Sequence, residues 1–146
     1  MSLDIHIQLR DPSQQTVRGL FTFGPSGPIA IEGMQKLVNR WLKVFLTPRG
    51  SHPWRRSEGT EFYQLIGGNV ESLRGSEALV IEAIDDANEQ VVSQDRAEPT
   101  RPATERLQSA ALLRFVEVPP AGIEFWVEFH ALSGDIARIV LPYATA

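Results

Sequence analysis

The chain of 146 residues contains no cysteine, which excludes disulfide bonds and thiolate metal sites. It is also poor in lysine, since twelve of its 14 basic residues are arginines. Arginine presents a rigid fork of donors that suits interfaces, although codon bias in a GC-rich genome would give the same composition. No run approaches the roughly 20 apolar residues that cross a bilayer, and residues 1–6 lack the apolar block of a signal peptide. We therefore expect a protein that is made in the cytoplasm and does not enter a membrane.

The composition is typical of a globular protein with one hydrophobic core. Hydrophobic residues make up 42% and charged residues 22% of the chain, and the length suits a single core. The net charge is −4, whereas a general nucleic-acid binder is normally basic. We predict a single domain over residues 1–146 that does not bind nucleic acid.

Apolar residues recur at different spacings in the first and middle parts of the chain. Residues 3–10 alternate apolar and polar side chains, which is typical of a half-buried strand, and the apolar run at residues 17–23 is a candidate second strand. Apolar residues at i, i+3, i+4 and i+7 predict an amphipathic helix over residues 29–46. We expect a short helical turn at residues 61–66 and a second helix that starts from an N-cap at Ser76 and fades by residue 94.

The last part of the chain changes to strand patterns. Residues 93–106 hold two prolines and no large apolar side chain, and we interpret them as a solvated connection. Strands are predicted at residues 107–118, 123–131 and 136–141, with a short turn between each pair. Helices followed by a meander predict an α+β fold with N-terminal strands, two amphipathic helices, a short helical turn and a three-stranded antiparallel β-meander. The expected parts are an N-terminal arm, a helical part and the meander, at residues 1–28, 29–95 and 107–142.

The sequence lacks the motifs that would indicate an enzyme or a cofactor site. Its histidines, His6, His52 and His130, are scattered without metal-ligand spacing, and there is no phosphate-binding glycine loop or G-x-S-x-G motif. We therefore expect no metal and no cofactor. Glycosidases need only two carboxylates, so Glu58 and Glu61 leave a small muralytic hydrolase as an alternative, although solvated surface acids are the simpler interpretation.

The most distinctive local chemistry lies in the loop of residues 48–60, which is rich in proline, glycine and arginine. Basic residues beside an aromatic ring can bind single-stranded nucleic acid, or they can dock in an acidic groove of a neighbouring protein. A third possibility is that Trp54 folds back onto the first long helix. The candidate interaction residues here are Arg49, Trp54, Arg55 and Arg56.

The final strand offers a second candidate interaction site. A three-stranded meander has edges, and an edge strand presents unpaired backbone groups to a strand from another chain. We expect the last strand to pair with a partner, while the N-terminal strand either covers that edge or extends outward. The candidate residues are Ile136, Arg138, Ile139, Val140 and Leu141.

Taken in order, these features resemble a known family. An amphipathic helix ends in a Leu-Thr-Pro-x-Gly turn at residues 46–50, a Gly-Thr-x-Phe segment follows at residues 59–62, and a second helix and a β-meander come next. The chain from about residue 29 to 142 is similar to the phage baseplate wedge family of contractile tails, which is historically labelled lysozyme-like. This family includes sheath initiators and relatives from type VI secretion baseplates. The residues that carry the family pattern are Gln35, Thr47, Pro48, Gly50, Gly59, Leu65, Glu82 and Glu89.

The resemblance implies a structural role and not a reaction. It implies a subunit of the virion that is present in several copies, six per baseplate in the family pattern. This subunit contacts wedge proteins, tail tube or hub proteins and the first ring of the tail sheath protein. Sheath subunits of such tails interlock by exchanging strands, which agrees with an open sheet edge. Family members carry a Glu-Pro-Arg signature at the end of the second helix, where the matching stretch here is Asn88-Glu89-Gln90-Val91 and only Glu89 survives. Residues 1–28 lie outside the resemblance.

Overall fold

The computed structural model describes residues 9–10, 16–17, 23–24, 27–28, 32–65, 73–118 and 122–144. In chain order the elements are β1 (Leu9–Arg10), β2 (Thr16–Val17), β3 (Phe23–Gly24), β4 (Gly27–Pro28), α1 (Gly33–Leu46), α2 (Leu73–Ala97), β5 (Leu107–Val118), β6 (Gly122–Ala131) and β7 (Ile136–Ala144). Short 3₁₀ helices span Phe62–Leu65 and Ala103–Glu105. The predicted α+β fold is confirmed.

The sheet is built on the predicted antiparallel meander. β5 pairs with β6 and β6 pairs with β7, with Phe125 opposite both Phe115 and Leu141. The two-residue strands β1 and β2 extend the sheet beyond β7, which gives the order β2-β1-β7-β6-β5. β3 and β4 form a separate two-stranded ladder, in which Phe23 pairs with Pro28.

The first long helix packs as its apolar spacing predicts, but it begins at Gly33. Trp41 is fully buried, stacked on Phe45 at a ring distance of 4.8 Å and in edge contact with Phe129 at 4.9 Å. Phe62, from the predicted short turn, packs on Phe45 at 4.5 Å. These aromatic contacts join α1 to the core-facing side of the sheet.

The second helix is longer than its periodicity indicates. It begins at Leu73, so the prediction of an N-cap at Ser76 is wrong: this residue is buried in the first turn of the helix. The helix also continues past residue 94 to Ala97. One apolar stripe of the helix is buried in the core, and it consists of Val80, Ala83, Ile84, Ala87 and Val91.

The boundaries of the long strands agree closely with the alternating pattern. β5 has the predicted bounds, and β6 begins one residue early. β7 runs through Pro142 to Ala144 instead of ending before the proline. A proline lacks the N–H group, and it is tolerated in a strand where that side of the ladder has no partner. Pro142 pairs with Glu124 of β6 and lies beyond the two positions at which β1 pairs with β7.

Much of the N-terminal arm falls outside the described residues. Only Leu9 and Arg10 of the predicted first strand are described, together with Val17 and Phe23 of the second apolar run. His6 also lies outside the described residues.

Candidate interaction sites

The edge of the final strand is partly covered by the chain itself. Leu9 pairs with Ile139 and Arg10 pairs with Arg138. The prediction that β7 presents a vacant edge is therefore wrong at these positions, and the alternative that the N-terminal strand covers it is confirmed there. Sequence patterns do not reveal this pairing because it joins segments about 130 residues apart.

The side chains of β7 are also less available for contact with another protein than predicted. Ile139 and Leu141 point into the core, where both are buried, and Val140 is half-buried. Arg138 donates from Nε to a Glu128 carboxylate oxygen at 2.6 Å, and His130 Nε2 contacts the other oxygen at 2.8 Å. The hydrogen bond from Arg138, followed by that from His130, lowers the pKa of Glu128. Ile136, at the start of the strand, is exposed.

Among the described strands, β5 ends the sheet on the other side, with a strand partner on one flank only. A groove of about 300 Å³ runs between this strand and α2, lined on the strand by residues 110–115. The helix contributes Ile81 and Ile84, with Glu77 and Asp85 beside them. Ile81 and Leu113 keep 44% and 50% of their surface exposed. The groove therefore combines apolar side chains of both elements with acids on the helix and Arg114 on the strand.

Bulges interrupt the ladder of β5. The register with β6 shifts between Leu107 and Ser109 and again between Leu112 and Arg114. A bulge leaves an extra residue unpaired and bends its strand. The second shift places Leu113 in the groove-lining segment without a directly paired residue on β6. Beside it, the Arg114 guanidinium lies 4.9 Å from the ring centre of Trp126 on β6.

A charged cluster links both helices to the start of β5, in the segment that we interpreted as a solvated connection. Asp95 is buried; one of its oxygens lies 2.7 Å from Arg40 Nη2 and the other accepts the Leu107 N–H at 2.8 Å. Arg101 Nη1 lies 3.7 Å from the first oxygen. The prediction of a solvated connection at residues 93–106 is wrong at Asp95 and Glu105, which are buried and paired with α1, and at residues 93–97, which belong to α2. Most of residues 96–103 are exposed, as predicted.

Glu105 is the second buried acid of this cluster. Its carboxylate lies 2.9 Å from Lys36 Nζ and accepts the Gly33 N–H at 3.4 Å, while its carbonyl oxygen accepts from Arg40 at 2.9 Å. The hydrogen bond from Lys36 lowers the pKa of Glu105, against the opposing effect of burial. The sequence analysis did not predict this cluster. The features that could have indicated it are acidic residues at and after the end of one helix, together with basic residues on the polar face of the other.

The loop of residues 48–60 is closed at its base. The Thr60 N–H donates to the Thr47 carbonyl at 2.9 Å, and the Arg49 N–H donates to the Thr60 carbonyl at 3.1 Å. The Gln90 side chain on α2 accepts the Gly59 N–H and donates to the Gly59 carbonyl, both at 2.8 Å. Compact surface loops with adjoining ends are held in shape by such contacts.

Gly59 is the residue that permits this closure. Its φ angle is +102°, and a Cβ atom there would lie 2.3 Å from the Thr47 carbonyl oxygen. No side chain fits at that distance, and the left-handed backbone favours glycine independently. The spacing between the Leu-Thr-Pro-x-Gly turn and the Gly-Thr segment thus has a physical reason in this chain: Thr47 and Gly59 meet at the base of the loop.

Trp54 projects from the loop with 89% of its surface exposed. The possibility that it folds back onto the first helix is therefore wrong. Arg49 turns toward the protein, with Nη2 at 2.5 Å from Asp86 and Nε at 3.9 Å from Glu61. Arg55 lies 3.7 Å from Glu58 and is largely exposed. Exposed Arg56 makes no ion pair with any residue in the described part of the chain.

The residues of the family pattern occupy different environments. Leu65 and Gly59 are buried, Gln35 donates to Asn39 at 3.0 Å, and the Thr47 hydroxyl donates to the Lys43 carbonyl at 2.5 Å. The remaining four lie at or near the surface: Pro48 forms a parallel bridge with Thr60, Gly50 has a φ of +81°, and Glu82 and Glu89 are exposed on α2.

The acidic pair proposed for hydrolysis has basic and amide neighbours. Glu58 faces Arg55, while Glu61 accepts from Gln64 at 2.6 Å and lies near Arg49. Within the described segments, no group of three or more histidine or acidic residues is arranged to hold a metal ion. Nor is any helix in those segments long and apolar enough to span a bilayer.

No protein-family model matches this chain, and no curated protein matches it at a significant level.

Proposed function

We propose that this protein is a structural, non-enzymatic subunit of a contractile phage-tail baseplate. In this role it is a wedge or sheath-initiator component that connects the wedge and tube region to the first ring of sheath subunits. Its partners are wedge proteins, tail tube or hub proteins and the sheath protein, and each baseplate holds several copies, six in the family pattern. The protein is then located in the virion after assembly in the host cytoplasm.

The open flank of β5 is the observation that carries this proposal. Strand addition uses main-chain hydrogen bonds for affinity and pockets for alternate side chains for specificity. Beyond Ala110, whose carbonyl accepts from Asn88 of α2, β5 offers both: one flank lacks a strand partner among the described residues, and the groove beside it contains Ile81 and Ile84. We therefore propose β5 as the accepting edge, since β1 already pairs with β7 at Ile139 and Arg138.

The end of α2 supplies a second argument. Because the helix ends at Ala97, Glu89 lies within it and cannot represent a signature at its end. The residues that follow the helix are Glu98-Pro99-Thr100-Arg101, which match the family's Glu-Pro-Arg with one residue inserted. The Arg101 side chain is only 12% exposed and contacts Asp95 and Glu98. Asp95 is buried and Glu98 is 66% exposed, so Arg101 joins the buried cluster to the surface at the end of α2.

The order of elements agrees with the same role. Helix α1, the closed loop, the 3₁₀ helix Phe62–Leu65, α2 and the meander follow one another as in the family pattern. The Thr47–Gly59 contact explains the spacing of the motif that suggested the family.

A pair of matched lysine variants tests the proposal. Leu113→Lys places a charge in the β5 groove, and charges on an edge strand block pairing with another strand. Leu132, in the turn between β6 and β7, is 49% exposed against 50% for Leu113, so Leu132→Lys is a control of equal exposure. In particles assembled from the gene cluster that encodes this protein, Leu113→Lys should leave baseplates without sheath.

The control should give normal tails, and both variants should retain the wild-type circular dichroism spectrum and melting temperature. Sheath polymerisation at the wild-type level on Leu113→Lys baseplates would refute strand addition at β5. Absence of the protein from purified tails would refute the baseplate assignment as a whole.

A further inference from the structure

The loop of residues 48–60 has a backbone fixed by hydrogen bonds, and it carries the exposed aromatic ring of Trp54. Its base is closed by Thr47, Gly59 and Thr60, and its interior turns are bonded from Arg55 N–H to His52 carbonyl at 3.2 Å and from Glu58 N–H to Arg55 carbonyl at 3.0 Å. A loop that is already ordered loses little conformational entropy when it binds. The backbone contacts therefore fix the part of the loop from which Trp54 projects before any partner binds.

The exposure of Trp54 sets it apart from the other tryptophans. Trp41 is fully buried and donates its indole N–H to Asn88 at 2.8 Å, and half-buried Trp126 lies under Arg114. Trp54 has no such packing. Tryptophan and arginine are the residue types most enriched among those that dominate protein–protein binding.

Of the arginines around Trp54, one is paired with acids of the protein itself and two are exposed to a partner. Arg49 is engaged by Asp86 and Glu61, so it supports the loop from inside. Arg56 is exposed without an ion pair in the described chain, and Arg55 is 72% exposed with its nearest acid at 3.7 Å. Two guanidinium groups directly after Trp54 are thus available to carboxylates of a partner.

The groove under the loop favours a protein over a nucleic acid. It has a volume of about 940 Å³ and is lined by the loop on one side and α2 on the other, where Asp86 and Glu89 lie together with Glu58 of the loop. A nucleic-acid backbone needs a continuous basic path for its phosphates. These acids interrupt that path, whereas a protein surface requires only local charge complementarity at Arg55 and Arg56.

We propose that the Trp54 loop is a second docking surface, separate from the β5 edge, that inserts its indole into an apolar socket with carboxylates at the rim on a partner protein. This proposal does not depend on the baseplate assignment. It predicts a partner segment in which apolar residues are flanked by aspartate or glutamate, bound in a manner that weakens with salt.

Site-specific photo-crosslinking tests this surface in the cells that make the protein. p-Benzoylphenylalanine at Ser57, beside Trp54 on the loop, should crosslink to a protein segment of acidic and apolar composition, identified by mass spectrometry. The crosslink should disappear with Trp54→Ala and with Arg55→Glu/Arg56→Glu. It should persist with Tyr63→Ala and Arg96→Glu, which remove an exposed aromatic ring and reverse an exposed charge elsewhere.

The crosslinked segment, made as a synthetic peptide, then serves as the probe for the full-length protein. Trp54→Ala should weaken its binding by about 30-fold or more, as expected for a dominant interface residue. Crosslinks that survive Trp54→Ala, crosslinks to nucleic acid, or no crosslink above that of unmodified protein would each overturn the proposal. The crosslink from position 57 reports only on the loop. The loop proposal can therefore fail while strand addition at β5 is supported, and strand addition can fail while the loop proposal is supported.

Discussion

Asn88 on α2 donates its side-chain amide to the Ala110 carbonyl oxygen of β5 at 2.8 Å. The same side chain accepts the Trp41 indole N–H from α1 at 2.8 Å, so one residue connects both helices to the sheet. This contact holds α2 against the first half of β5. Beyond it, residues 110–115 line the groove in which we place the arriving strand.

Replacing Asn88 should therefore weaken the whole fold. Asn88→Ala leaves the Trp41 N–H and the Ala110 carbonyl without this partner, and an unsatisfied buried polar group costs about 1–3 kcal/mol. Urea unfolding of the variant should show a loss of this size. Asn39→Ala removes a half-buried asparagine whose hydrogen bond, among the described residues, is to Gln35 on the same helix, and it should cost less than about 1 kcal/mol.

The charged cluster should respond more strongly than a surface ion pair. Asp95→Asn removes the charge opposite Arg40 in a buried site, and breaking a buried pair from one side costs about 3–5 kcal/mol. Asp86→Asn is the matched control, because its pair with Arg49 is partly exposed and should contribute less than about 1 kcal/mol. Equal losses for the two variants in chemical unfolding would show that the cluster does not hold the helices to β5.

Two glycines in one loop allow the closure of that loop to be tested. Gly59→Ala places a methyl group against the Thr47 carbonyl at a positive φ, and we expect a loss of about 2–4 kcal/mol from strain and displaced backbone. Gly50→Ala shares the positive φ, but its Cβ would meet nothing within 4 Å, so about 1 kcal/mol is expected. Thermal melting measures the difference in stability between the two variants. Equal stability of the two would show that the contact with Thr47 does not hold the base of the loop.

Acid should destabilise the protein in part through Glu105. Its pKa is lowered in the folded state, chiefly by Lys36, so the folded protein binds this proton less readily than the unfolded chain. The resulting stability is present above the unfolded pKa and is lost as pH falls through the folded value. Free energies of unfolding between about pH 5 and pH 2 should therefore fall less steeply for Glu105→Gln than for wild type. Glu82→Gln, which removes an exposed carboxylate from α2, supplies the comparison.

We expect no peptidoglycan hydrolysis from this protein. Glu58 and Glu61 lie beside arginines on a loop base and not in an apolar pocket that would favour a protonated acid. Turbidity assays with purified cell walls should show the same clearing rate for wild type and Glu58→Gln, at the level of buffer alone. Clearing by wild type that is lost in Glu58→Gln would replace the structural role with a catalytic one.

The periodic helices and strands of this chain could be predicted from the sequence because the spacing of apolar residues in each element shows which of its faces is buried. The stripe through Leu37, Trp41 and Phe45 defines the buried face of α1, and alternation from Ile123 to Phe129 defines that of β6. Burial on one face is a local pattern, so the fold class and the strand boundaries followed from it.

Long-range pairing could not be predicted in the same way. Arg40 meets Asp95 across 55 residues, and β1 meets β7 across most of the chain, without any local pattern that records either contact. The polar composition of residues 93–106 suggested solvent exposure because composition does not show whether a charge has a buried partner. The exposure of Trp54 was likewise undetermined, since a tryptophan beside arginines suits both a packed and a projecting position.

The central claim is that β5 accepts a strand from another chain. A cryo-electron microscopy reconstruction of the assembled particle, at a resolution that traces side chains, tests it most directly. We predict a strand of a neighbouring subunit hydrogen-bonded to the flank of β5 opposite β6, with its apolar side chains against Ile81 and Ile84. A β5 flank that faces solvent in the particle, or one that meets its neighbours through side chains only, would contradict it.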